Sequence, residues 1–169
     1  MYSLNVPVPT RVAALASDIA REIPAARARV RGEHTLNIKR LSNGEGPAYN
    51  RLETQAREII AGQPPFEVRI DGIEYFPNAI IGTTPVLYLS VESPELVALH
   101  QRLAEVFEPI EGIEGDGYTP HVTISRGGPQ EAVERLTERE IEPIEWVVDE
   151  LIFWDATRSQ PVSSVSLPA

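Results

Sequence analysis

Along these 169 residues a helix, a histidine-bearing strand, a second helix and two further strands recur in the same order, so the chain reads as internally duplicated. The full order is strand, helix, strand, helix, strand, strand, helix, strand, helix, strand, strand. Few of these connections suit a doubly wound parallel sheet, and the hairpins favour an α+β fold. The expectation is one domain spanning 1–169 and built of two pseudo-repeated lobes. Each lobe carries a mostly antiparallel sheet with helices on its outer side, and a central cleft lies between them, where ligands commonly bind.

Periodicity supplies the elements. Alternation over residues 2–8 suits a strand. Val12, Leu15, Ile19 and Ile23 then recur at helical spacing between a start at Pro9 and Thr10 and a stop at Pro24. The run EHTLNIKRL (33–41) alternates again, followed by the breaker cluster SNGEGP (42–47) and a helix striped by Tyr49, Leu52, Ala56, Ile59 and Ile60, with Gly62 at its end. Residues 66–76 and 86–91 form a long-looped hairpin. Ser93 and Pro94 open a helix as N-cap and first helical residue, and Leu96, Leu99, Leu103 and Val106/Phe107 form its buried face. The acidic loop EGIEGDG (111–117) reads as a lid or plain loop, since no Lys-Ser/Thr follows its glycines. A strand TPHVTISR and a helix opened by Pro129 come next. Two strands, 144–154 and around 162–167, complete the chain, with Trp146 and Trp154 assigned to the core.

A chain of this length buries roughly 70% of its unfolded surface, enough for a core without cross-links. The absence of cysteine excludes disulfide scaffolds, thiol nucleophiles and thiolate metal sites. The net charge is −10, and Lys39 is the only lysine among 15 basic residues. Such a surface repels polyanions, which argues against duplex DNA as partner but leaves room for a local basic pocket around one phosphate. No apolar run reaches membrane-spanning length and MYSLNVPVPT lacks a secretory pattern, so the expected setting is cytoplasmic, without a membrane partner and as a monomer.

Three histidines restrict the candidate chemistry. His100 lies among charges in PELVALHQRLAEVF and reads as a surface residue. His34 and His121 lie in strands 87 residues apart, at matching places in the two halves. In Tyr118-Thr119-Pro120-His121-Val122-Thr123-Ile124-Ser125-Arg126, residues i and i+2 share a face, so His121 and Thr123 point together while Val122 and Ile124 turn to the core. An imidazole that exchanges a proton near neutral pH, beside a hydroxyl donor, suits a phosphate.

His121-Val122-Thr123-Ile124, with Pro120 before it and Arg126 after it, resembles the duplicated His-x-Thr/Ser-apolar signature of the two-histidine (2H) phosphoesterases, the group of 2′-5′ RNA ligases and RNA 2′,3′-cyclic phosphodiesterases. The strand pair beginning FEVRIDGIEYF is similar to that between the family's motifs. The resemblance implies a bilobal α+β fold, His34 and His121 as catalytic acid and base, and no cofactor or metal. It implies as substrate an RNA 3′ end or a small cyclic-phosphate nucleotide, opened to a 2′-phosphate or joined in the reverse, ligation direction.

The first motif departs from the signature. His34-Thr35-Leu36-Asn37 has its hydroxyl one position after the histidine, and a bulge near His34 would bring both to one face. Thr35 and Thr123 are the expected phosphate-binding hydroxyls. Lys39 and Arg126, each five residues after a histidine, are the expected phosphate-binding cations, and Tyr118 is a base-stacking candidate at the cleft mouth. A non-catalytic module holding RNA phosphate ends is the competing reading.

Overall fold

The computed structural model describes residues 1–42 and 47–169; most of the 42–47 breaker cluster lies outside the described residues. The strands are β1 (Tyr2–Pro7), β2 (Arg27–Ala28), β3 (Thr35–Arg40), β4 (Phe66–Phe76), β5 (Val86–Glu92), β6 (His121–Arg126), β7 (Ile144–Val148), β8 (Glu150–Asp155) and β9 (Gln160–Ser166). The helices are α1 (Thr10–Ala20), α2 (Tyr49–Ile60), α3 (Pro94–Ala104) and α4 (Gln130–Thr137), and a 3₁₀ turn covers Gly115–Gly117. The final pair of expected strands is in fact three, because the 144–154 run is split at Asp149 into β7 and β8.

All the described pairings are antiparallel, and they join into one curled sheet of order β7-β4-β5-β6-β3-β1-β8-β9, with β2 also on β6. The order is symmetric about the β6/β3 junction, where Leu36 pairs with Val122. Four strands lie on each side, and the α+β arrangement with mostly antiparallel sheet is the one expected. Among the described residues no helix is long and apolar enough to cross a membrane.

One face of the sheet holds the core. Leu4, Leu36, Ile38, Leu87, Leu89, Val122 and Ile124 are fully buried there, with α1 packed on β6 and α3 on β3. Each fully buried Leu or Ile contributes about 1.5–3 kcal/mol relative to exposure. The start of α3 matches its sequence signal: the Ser93 hydroxyl accepts from the Leu96 N–H at 3.3 Å and Pro94 takes the first turn. Helix α1 has Pro9 at its N-cap without a side-chain bond, and it ends at Ala20, before Pro24.

His100, read from the sequence as a surface residue, and Glu114, in the segment read as a lid or plain loop, are both buried. His100 is 0% exposed: its Nδ1–H donates to the Ile38 carbonyl (2.6 Å), Nε2 accepts from the Gly115 N–H (2.8 Å), and Tyr118 stacks on the ring at 3.8 Å. Glu114, from the acidic loop, is equally enclosed. Its carboxylate accepts from Lys39 Nζ (2.6 Å), the Ile110 N–H (3.0 Å) and the Arg40 N–H (3.1 Å). Lys39 Nζ also donates to the Arg40 and Glu108 carbonyls, so all three of its protons have acceptors. The loop is therefore pinned to β3 by a satisfied buried ion pair, the arrangement in which loss of one partner is most costly.

Glu114→Gln or Lys39→Met alone should cost about 3–5 kcal/mol in urea unfolding, whereas the double replacement should cost less than the sum. Stability should also fall on acidification. Hydrogen bonds from Lys39, Ile110 and Arg40 outweigh burial and hold Glu114 below the ordinary carboxylate value of 4.5, and burial holds His100 below 6.5. Both groups bind protons more readily when unfolded, so His100 withdraws its contribution as pH falls below 6.5 and Glu114 as pH falls below 4.5. Circular dichroism melts across this range measure it.

Candidate active site

An extra residue in each central strand fixes what faces the cleft. In the β5/β6 pair, Tyr88 opposes Thr123 and Leu87 opposes Ser125, leaving Ile124 bulged. In the β1/β3 pair, Asn5 opposes Asn37 and Leu4 opposes Lys39, leaving Ile38 bulged. A bulge turns two consecutive side chains to one side. Ile124 and Ser125 therefore both go to the core, as do Ile38 and Lys39, and Arg126 and Arg40 return to the cleft.

The two strands consequently superpose as Thr35-Leu36-Asn37-Ile38-Lys39-Arg40 on His121-Val122-Thr123-Ile124-Ser125-Arg126, an offset of 86 residues. This corrects three expectations. The residue matching His121 is Thr35, and the residue matching Thr123 is Asn37. His34 precedes β3, is 7% exposed, does not line the cleft, and among the described residues has no hydrogen-bond partner on either ring nitrogen. The bulge lies at Ile38 rather than near His34. Lys39, expected to bind phosphate, is 0% exposed and engaged by Glu114, whereas Arg40, whose guanidinium also reaches Glu114 at 3.4 Å, borders the cleft.

The cleft encloses about 500 Å³ and brings together His121, Thr123, Thr35, Asn37, Arg40, Arg126, Arg29 and Tyr118. Thr123, Thr35 and Arg126, all named from the sequence, border the cleft. Tyr118 borders the cleft, but one ring face is taken by His100 and its hydroxyl donates to the Asn37 carbonyl (2.8 Å). Trp154, read as core, also borders it. Arg29, Arg40 and Asn37 were missed. Comparing TLNIKR with HVTISR would have found two of them, since apolar residues at positions 2 and 4 and arginine at position 6 coincide.

His121 is oriented from both sides. Its Nδ1–H donates to the Thr119 carbonyl at 2.7 Å, which leaves Nε2 as the acceptor nitrogen. The ring meets Phe76 edge-on at 5.3 Å and Tyr88 at 5.2 Å. Burial lowers its pKa, and Arg40, Arg126 and Arg29 lower it further, against the Thr119 bond that raises it, so the free imidazole is neutral at pH 7. Burial and mutual repulsion likewise lower Arg126. Among the described residues at the cleft the only acidic one is Glu33, so three guanidiniums converge in a chain of net charge −10. An imidazole held below its ordinary pKa among three guanidiniums is an arrangement that suits an anion.

The family model of the 2′-5′ RNA ligase superfamily matches residues 36–160. The chain belongs to this superfamily. Over 84 residues, 49% of this chain and 44% of the relative, it is 34% identical to the RNA 2′,3′-cyclic phosphodiesterase of Methanothermobacter thermautotrophicus; the match thus spans under half of that protein's length. Its fold is similar to E. coli LigT complexed with NADP⁺ (TM-score 0.66, 16% identity, 99% of this chain and 97% of that one). LigT complexed with 3′-AMP is similar too (TM-score 0.61, 16% identity, 99% and 98%). At these identities the structures establish the fold of this superfamily member, and its site chemistry is argued from its own residues.

Two outcomes follow for the histidines. In ring NMR, inorganic phosphate should raise the pKa of His121 toward and above 6.5, because a bound anion favours the imidazolium, while that of His34 stays unchanged. His34→Leu should leave phosphate binding intact and stability equal or higher by about 1 kcal/mol, since it removes two buried, unpartnered nitrogens.

Proposed function

We propose that this protein holds the 2′,3′-cyclic phosphate of an RNA 3′ end or small nucleotide and opens it to the 2′-phosphate, using His121, the one imidazole at the cleft among the described residues. The observation that carries this reading is His121, oriented through its Nδ1 bond to the Thr119 carbonyl and lining one cleft with Thr123 and three arginines. The superfamily assignment and the nucleotide ligands of LigT support the substrate class.

His121 Nε2 takes a proton from water as its oxygen attacks phosphorus. The phosphorus–O3′ bond breaks, and charge on the phosphoryl oxygens is met by Thr123, Arg126, Arg29 and Arg40. In-line departure places the ribose oxygen on the far flank, toward Thr35. A threonine hydroxyl donates a hydrogen bond there but cannot supply a proton as an imidazolium does, so the alkoxide takes its proton from solvent and His121 later returns its own to solvent. A positioned acid or base is worth roughly 10²- to 10⁴-fold, so turnover is slower by that factor than with two imidazoles. The steps involve no metal.

The same feature, Thr35 at the position matching His121, favours a second reading in which the chain retains RNA phosphate ends without turnover. One experiment separates them: RNA bearing a 2′,3′-cyclic phosphate is incubated with the protein in EDTA, and binding and 2′-phosphate formation are measured separately. Slow metal-free turnover, lost in His121→Ala and retained in His34→Ala, is the expected result. Binding without product overturns the enzyme reading in favour of the retention module. Thr35→His combined with Asn37→Thr should raise turnover by roughly 10²- to 10⁴-fold, since it completes the opposite flank.

A further inference from the structure

The registers that match Thr35 to His121 extend outward through both halves. Ser3, Leu4 and Asn5 of β1 correspond to Val86, Leu87 and Tyr88 of β5 by their pairings with β3 and β6. One strand further, Trp154 pairs with Ser3 as Phe76 pairs with Val86. In the β4-β5-β6 half the cleft face is thus Phe76, Tyr88 and His121, a run of rings in which Phe76 and Tyr88 stack at 4.2 Å and 26°. In the β8-β1-β3 half the same places hold Trp154, Asn5 and Thr35. An aromatic wall is kept, and the ring that should lie on it is replaced by a short amide.

That amide is part of a buried polar floor. Asn5 is 3% and Ser3 5% exposed, and both border the cleft. Asn5 Oδ1 accepts from Asn37 Nδ2 (3.0 Å) and from Ser3 Oγ (3.0 Å). The Asn5 amide N–H groups and Asn37 Oδ1 have no protein partner among the described residues, so a donor pair and an acceptor remain for something in the cleft. From His121 on β6, across β3, to Asn5 on β1 is two strand spacings, about 10 Å, a separation that one nucleotide bridges.

We propose that the β8-β1-β3 half of the cleft is a nucleobase subsite: the ligand's base lies on Trp154 as Tyr88 lies on Phe76, and Asn5 and Asn37 hold its polar edge. This rests on the phosphate reading above and adds that a ring, rather than sugar and phosphate alone, is recognised. It also makes the asymmetry of the halves functional, one half supplying the proton-transferring ring and the other receiving the ligand's.

The test uses the full chain carrying Trp146→Phe, so that Trp154 is the only tryptophan, with two probes: adenosine 2′,3′-cyclic phosphate and the base-free ribose 2′,3′-cyclic phosphate. Base stacking is worth roughly 5- to 150-fold in affinity, so the nucleoside probe should bind tighter by that order and quench Trp154 fluorescence, while the base-free probe binds weakly without quenching. Trp154→Ala and Asn5→Ala should each reduce the difference between the probes and leave binding of the base-free probe unchanged. Trp154→Phe, which keeps a ring, should retain most of it. Equal affinity for both probes, or an undiminished preference in Trp154→Ala, overturns the subsite while leaving the phosphate reading standing. Failure of both probes to bind overturns the phosphate reading and the subsite with it.

Discussion

Everything at the cleft depends on one extra residue in each central strand. Without the bulges at Ile38 and Ile124, alternation would send Lys39 and Ser125 into the cleft and Arg40 and Arg126 into the core. With them, each strand gives its first and third residues and then its arginine to the ligand side. The cost is a second polar side chain turned inward in each half. At Lys39 it is offset by the fully bonded ion pair with Glu114, whereas the Ser125 hydroxyl is buried without a partner among the described residues.

Burial in the core and attraction for anions come from the same β3 and β6 segments, which explains how an acidic chain has a basic cleft. The excess of Asp and Glu lies mainly on solvated surfaces, and the three arginines that converge do so because strand geometry, not overall charge, selects them. Crowding of guanidiniums is unfavourable by itself. A negative charge placed among them offsets that repulsion.

Much of this was legible in the sequence. The order of elements, the antiparallel duplication, the cap of α3 and the pairing of His121 with Thr123 follow from periodicity and local chemistry. The error was a single position. The sequence reading matched histidine to histidine at 87 residues and set a bulge near His34. The bulges set the offset at 86, and a bulge has no compositional marker in a strand whose residues 36 and 38 are apolar either way. The burial of His100, read as a surface residue, and of Glu114 has a related cause: each is enclosed through partners distant in sequence, Ile38 and Lys39, that local charge patterns do not reveal.

The Glu114 carboxylate binds the backbone N–H of Arg40 and that of Ile110 together with the Lys39 ammonium. The acidic segment bordering the cleft and the strand that presents Arg40 therefore move as one body. Widening the entrance on this side would strand a charged amine in an apolar interior, so the aperture there is set when the chain folds and does not yield to the incoming molecule. The width of the cleft on this flank is thereby a property of the scaffold rather than of a moving part.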